Sequence, residues 1–165
     1  MIRKIKLKDA KSFLYMLKQL DNETTYMMYE PDERSTSVEE MKSTIQNVYS
    51  SGSLMLVAEE NGSLVGFLSA ERGFANKVKH SAYVVIGLLK SYREKKIGTK
   101  LFEELIKWAL ENSLTRLELT VMTNNEAAIC LYKKMGFKIE GLKEKSLFVD
   151  GKYIDEYYMS KLLLH

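Results

Sequence analysis

Ile86-Gly87-Leu88-Leu89-Lys90-Ser91-Tyr92-Arg93-Glu94-Lys95-Lys96-Ile97-Gly98-Thr99 passes from an apolar run, through a basic turn, into the start of an amphipathic segment. Upstream, Tyr83 to Leu89 is continuously apolar with β-branched members, the pattern of a central strand covered on both faces. Downstream, Leu101, Phe102, Leu105, Ile106 and Ala109 recur at helical spacing, so Thr99 to Glu111 reads as a helix. A strand that feeds a helix through such a turn offers unpaired backbone N–H groups and the positive end of a helix dipole, which suits a phosphate-bearing ligand. Arg93, Lys95 and Lys96 add mobile positive charge, and Gly98 lets the backbone approach closely. A Walker loop is excluded, because the Gly-Lys-Ser/Thr ending is missing. These residues alone fit both a pyrophosphate site and a solvated basic turn that merely caps a helix.

Working outward, Ile2, Ile5 and Leu7 suggest a short first strand. From Asp9, the spacing of Phe13, Leu14, Leu17 and Leu20 predicts a helix running to about Leu20. Asp21 to Thr36 breaks that period, carries the only proline, Pro31, and reads as a long loop. Ser37 and Glu40 have capping-box spacing, and Val38, Met41, Ile45 and Val48 continue as a second helix ended by Ser51-Gly52. Leu54 to Glu60, Asn61-Gly62 and Leu64 to Glu71 form a hairpin, because Asn-Gly tolerates the positive φ values of a two-residue turn. Arg116 to Met122 alternates as a strand, Asn125 to Met135 is helical and stopped by Gly136, and Lys138 to Val149, Asp150-Gly151, Lys152 to Leu162 is a second hairpin. The expected order is β-α-α-β-β-β-α-β-α-β-β. The fold class is therefore α/β (α+β): one domain over residues 1–165, with a mixed, mostly antiparallel sheet of about seven strands and about four helices on its faces.

Composition narrows the function. A chain of 165 residues, 45% hydrophobic with one Pro and nine Gly, can bury a core of its own. The longest uncharged apolar run, Ala82 to Leu89, falls far short of the ~20 residues that cross a bilayer, and Met1-Ile2-Arg3-Lys4-Ile5 lacks a signal-peptide core. A soluble, cytoplasmic protein without a membrane partner is expected. The net charge of +3 is too small to demand a nucleic acid. One cysteine, Cys130, excludes an internal disulfide, and His80 and His165 complete no metal-ligand cluster, so no metal is expected.

A second segment, Asn125-Glu126-Ala127-Ala128-Ile129-Cys130-Leu131-Tyr132-Lys133-Lys134-Met135-Gly136-Phe137, puts Ala128, Leu131, Tyr132 and Met135 on one helical stripe. By spacing alone Tyr132 reads as a core aromatic. The two segments together resemble the acetyl-CoA-binding signature of the GNAT superfamily of N-acetyltransferases. Its first part reads Arg or Gln, two residues, Gly, one residue, then Gly or Ala; Arg93 and Gly98 match. Its second reads Asn-x-x-Ala-x-x-Leu-Tyr, four residues, then Phe; Asn125, Ala128, Leu131, Tyr132 and Phe137 match throughout. The element order agrees from Ile2 to Leu162. Lys96 departs from the pattern, standing where the family usually has Gly. Since lysine disfavours positive φ, the turn is expected to use an ordinary backbone conformation there or to be rearranged, and the Lys96 side chain is expected to contact a phosphate of coenzyme A.

The resemblance implies a reaction and a set of residues. Acetyl-CoA is the implied cosubstrate, and acetyl transfer to a primary amine of a small molecule, amino acid, polyamine or protein N-terminus is the implied activity. The alternatives are a dedicated protein acetyltransferase acting on a lysine or a ribosomal N-terminus, and a non-catalytic acyl-CoA-binding module. Leu88 occupies the position whose N–H faces the developing oxyanion. Leu88, Leu89, Lys90, Arg93, Lys95, Lys96, Ile97, Gly98, Thr99, Asn125 and Tyr132 fall in the implied cofactor site, and Tyr132 sits where the family places its general acid. Members that acetylate protein N-termini often carry a Glu where this chain has Thr120; Glu71, His80, Glu118 or a relayed water are the substitutes as base. Cys130 reads as a small helix residue. The loop after the first helix, with Tyr26, Tyr29 and Glu30, corresponds to part of the acceptor wall, where carboxylates and aromatics suit a cationic amine. Homodimers are common in the family, although no feature of this sequence fixes a symmetry.

Overall fold

The computed structural model describes residues 1–164; His165 lies outside the described residues. The elements follow the expected order: β1 Ile2–Lys4, α1 Ala10–Glu23, α2 Val38–Ser50, β2 Leu54–Glu60, β3 Ser63–Arg72, β4 Ser81–Leu88, α3 Ile97–Glu111, β5 Arg116–Met122, α4 Glu126–Lys134, β6 Lys138–Val149 and β7 Lys152–Leu162. Short 3-10 turns occupy Leu7–Asp9 and Lys90–Tyr92. One seven-stranded sheet runs β1-β2-β3-β4-β5-β7-β6. Every neighbouring pair is antiparallel except β4 with β5.

Local chemistry accounts for most element boundaries. Ser37 Oγ accepts from the Glu40 amide and Glu40 Oε1 accepts from the Ser37 amide, each at 3.1 Å, closing the capping box that starts α2. Asn61 and Gly62, then Asp150 and Gly151, take the positive φ values that a two-residue hairpin requires. Helices α1 and α3 bury the stripes read from their periodicity, with Phe13, Leu17 and Leu20 on one and Leu101, Phe102 and Leu105 on the other. They lie on opposite faces of the sheet. A side chain at Gly87 would meet Leu20 of α1, whereas its neighbour Leu88 lies beside Gly98 of α3, and successive strand residues point to opposite faces.

Four expectations need correction. Helix α1 does not stop near Leu20 but continues to Glu23. Arg34 returns from the following loop to bond both oxygens of the buried Asp21 at 2.8 and 3.0 Å, so that a carboxylate which reads as a breaker is neutralised inside the helix. Helix α3 begins at Ile97 rather than Thr99, and β4 covers Ser81–Leu88 rather than Tyr83 to Leu89. Most consequentially, β4 is not covered on both faces. Tyr83 and Val85 are each 39% exposed, because α1 reaches Gly87 and leaves the rest of that face open. No helix among the described residues is long and apolar enough to cross a membrane.

Candidate active site

The parallel pairing of β4 with β5 is short. It joins Ser81–Tyr83 to Arg116–Glu118 and stops, while β4 stays on β3 as far as Leu88 and β5 stays on β7 as far as Met122. Beyond Tyr83 the two strands therefore diverge and leave main-chain groups facing a gap. The register identifies which groups these are. Gly66 opposes Leu88, and the Leu89 amide donates to the Val65 carbonyl at 2.9 Å, so Leu88 is the member of a non-hydrogen-bonded pair whose N–H and C=O point away from β3. Val84 and Ile86 share that direction by the two-residue period. Arg93 Nε donates to the Leu88 carbonyl at 3.4 Å, which folds the basic turn back towards the gap.

In that turn Arg93, Lys95 and Lys96 are exposed, and Lys95 Nζ lies 5.0 Å from the centre of the Tyr92 ring. Lys96 is the residue immediately before α3 and has φ 63°, ψ 12°; Glu94 also has positive φ, at 65°. The expectation of an ordinary conformation at Lys96 is thus wrong: a lysine takes the left-handed geometry that favours glycine. The physical reason lies downstream, where Ile97, Gly98, Leu101 and Phe102 are buried and α3 cannot shift to relax the turn. Residues in this conformation turn successive amides towards a common concavity, the geometry that receives anions. At Gly98 a Cβ would lie 2.9 Å from Leu131 of α4, so its absence lets the two helices meet.

Helix α4 forms the other wall. Asn125 caps it through its Oδ1, which accepts from the Ala128 amide at 3.3 Å. Seven residues on, Tyr132 is 7% exposed and packs edge-on against Phe102, with Phe137 tilted beside it. Its hydroxyl has no hydrogen-bond partner among the described residues. Burial pushes the phenol above its ordinary range, and the nearby Tyr83 adds in the same direction, so Tyr132 stays protonated through neutral pH. Lys134, at the end of α4, reaches Thr99 Oγ1 in the first turn of α3 at 3.5 Å, and Cys130 is exposed.

Across the sheet lies an open cleft of about 380 Å³ lined by Tyr83, Glu118, Thr120 and Tyr158, with Arg116 and Glu140 at its edge. The Tyr83 and Thr120 hydroxyls are 2.7 Å apart. Glu118 is held by Arg116 Nε at 2.8 Å, and Glu71 is exposed opposite Tyr83 on β3. His80 stands before β4, at the end where the strands are still paired. Of the acceptor-loop residues, Tyr26 Oη donates to the Asn124 carbonyl at 3.3 Å and so reaches the end of β5. Tyr29 instead stacks under Arg34, 4.6 Å from its ring centre, and Glu30 is exposed. Leu88 and the basic turn thus lie where the strands part and Tyr26 reaches the end of β5, while the Tyr29 ring stacks with Arg34.

Sequence reasoning gave no sign of the contacts that Glu23, Tyr83 and Glu156 make. Glu23 Oε1 accepts from the Lys90 amide at 2.8 Å, tying α1 to the first residue of the basic turn. Glu156 opposes Met122 across β5–β7 and lies within 2.5 Å of Ser146 Oγ. No local signal marks these residues, whose placement depends on contacts 67, 37 and 10 positions apart. No group of metal-ligating side chains occurs among the described residues.

Comparison with known proteins gives the same picture. The Acetyltransferase (GNAT) family matches residues 14–137. The L-amino acid N-acetyltransferase AaaT of Escherichia coli (strain K12) is 34% identical over 113 residues, which cover 67% of this chain and 69% of that protein. A crystal structure of the acetyltransferase of GNAT family from Streptococcus pneumoniae superposes with a TM-score of 0.95 at 33% identity, covering 99% of each chain. The structure of yncA from Salmonella typhimurium with its cofactor acetyl-CoA superposes with a TM-score of 0.89 over 100% of this chain and 94% of that one; at 19% identity it is a likeness of fold.

Proposed function

The chain belongs to the GNAT acetyltransferase family and is an acetyl-CoA-dependent N-acetyltransferase, and from that premise we propose which residues carry the transfer and what class of amine receives it. The amides from Lys95 to Thr99, with Arg93 and the preceding Leu89 and Lys90, hold the diphosphate of acetyl-CoA at the start of α3. The Lys96 side chain adds a cation to the same anion. Leu88, with Ile86 beside it, directs N–H groups at the oxyanion that develops when the amine attacks the thioester carbonyl. Asn125 acts by fixing the start of α4 and so the aim of Tyr132. Tyr132 gives its proton to the departing thiolate, a role that a phenol kept neutral by burial can fill.

The acceptor is a small or N-terminal primary amine that enters over Tyr83, Thr120 and Tyr26. An attacking amine must be neutral, and an α-amino group with a reference pKa near 8 needs less help than a lysine side chain near 10.4. That AaaT is an L-amino acid N-acetyltransferase supports an α-amine. The observation that carries this reading is the unpaired end of β4, whose free main-chain groups face a gap bounded by an amide-rich turn and an unpartnered, protonated phenol.

The test is thiol release from acetyl-CoA with a panel of amino acids, peptides, polyamines and aminoglycosides. Release with at least one amine is expected. Tyr132→Phe should lower turnover at least ~10-fold with little loss of acetyl-CoA affinity, the usual scale of a general acid. Binding of acetyl-CoA without release on any acceptor would replace this reading with that of a non-catalytic acyl-CoA-binding module.

A further inference from the structure

Tyr83 is a large aromatic residue left 39% exposed, with Val85, on the part of the sheet face that α1 does not cover, and its position is the last rung on which β4 and β5 still pair. Its hydroxyl is not loose in solvent. It lies 2.7 Å from the hydroxyl of Thr120, two residues past its paired partner Glu118, so the phenol is drawn along β5 to the point where the strands part. Thr120 and Tyr158 oppose each other on the next rung and continue the same face, and all four line one cleft.

Tyr83 and Tyr132 also meet from opposite sides. Tyr132 belongs to α4, packed on the α3 face, whereas Tyr83 points to the α1 face; yet Tyr83 is close enough to add to the upward shift of the Tyr132 phenol. On the acceptor side the Tyr83 hydroxyl combines exposure with a direction fixed by Thr120. The charged neighbours are less suited: Arg116 commits Nε to Glu118 and both terminal nitrogens to Glu140, leaving neither carboxylate free of it.

Resting on the acetyltransferase reading above, we infer that Tyr83 is the acceptor-orienting residue: its O–H donates to Thr120 Oγ1, and its remaining lone pair accepts an N–H of the incoming amine, aiming the nitrogen through the gap between β4 and β5. Thr120 acts through Tyr83 as a positioning residue. No proton is transferred to Tyr83 in this role. A purely structural role, in which the hydroxyl pair clips β4 to β5, makes a different prediction, because loosening the clip would disturb the gap on both sides.

The experiment measures steady-state kinetics for both substrates, acetyl-CoA affinity and thermal stability in the full chain, for Tyr83→Phe, Thr120→Val and Thr120→Ser, with the best amine of the panel. Tyr83→Phe should lower kcat/KM for the amine about 3- to 10-fold, the scale of one hydrogen bond, with acetyl-CoA affinity and Tm unchanged. Thr120→Val should lose part of this and Thr120→Ser should restore it. An unchanged kcat/KM for the amine in Tyr83→Phe overturns the inference, as does a loss confined to acetyl-CoA affinity and Tm, which assigns the pair to structure. If the wild-type chain releases no thiol with any amine, the acetyltransferase reading itself fails and this inference falls with it.

Discussion

At position 96 the chain spends conformational energy that a glycine would avoid. Left-handed geometry costs a non-glycine residue about 1–2 kcal/mol, and Lys96 holds it with an exposed side chain that forms no contact to offset it. Lys96→Gly should therefore raise Tm by about 2–4 °C, the shift expected for roughly 1 kcal/mol in a chain of this size, while weakening acetyl-CoA binding through loss of the cation. A thermal melt checks the first part and a titration in low and high salt the second; an unchanged Tm would mean that the strain is relieved elsewhere. The signature made position 96 legible as part of the turn, but lysine's own preference gave the wrong backbone for it. Intrinsic preference is weak beside the burial of Ile97, Leu101 and Phe102, which holds the next helix in place.

Among the elements, those coded by neighbouring residues were the most legible. Both hairpins and the start of α2 appear at the boundaries their sequences imply, because Asn-Gly, Asp-Gly and the Ser37–Glu40 pair act over a few residues. Ser37→Ala should remove one of the two reciprocal cap bonds and cost about 1 kcal/mol, read as a lower midpoint in urea with an unchanged m-value. The register between distant strands is another matter. That β4 leaves β5 after three paired residues follows from β5 holding β7 and β4 holding β3, and an apolar run such as Tyr83 to Leu89 carries no mark of where its second neighbour departs. For the same reason Tyr83 looked like core. Periodicity reports which residues are apolar, not whether a helix lies over them.

On the scale of the molecule, the sheet is braced over β7 by one guanidinium. Arg116 of β5 reaches Glu140 of β6 at 2.6 and 3.1 Å and Glu118 of its own strand at 2.8 Å. This pairing holds the Glu140 carboxyl down at about 2, well below its ordinary 4.5. A depressed carboxylate contributes its stability fully above the unfolded value and loses it as pH falls through the folded one. The contribution of Glu140 should therefore be present above pH 4.5 and fade towards pH 2. Glu140→Gln should unfold more readily than the wild-type chain at pH 6, and the two should converge below pH 3 in acid titrations followed by circular dichroism. A constant gap across that window would remove the ion pair from the account of acid stability.

The segment leaving α1 touches both banks of the diverging strands, through Glu23 to the amide of Lys90 and through Tyr26 to the carbonyl of Asn124. A single tether thus spans the lodgings of donor and acceptor. Severing either bond would leave the segment anchored to one of the two strands alone.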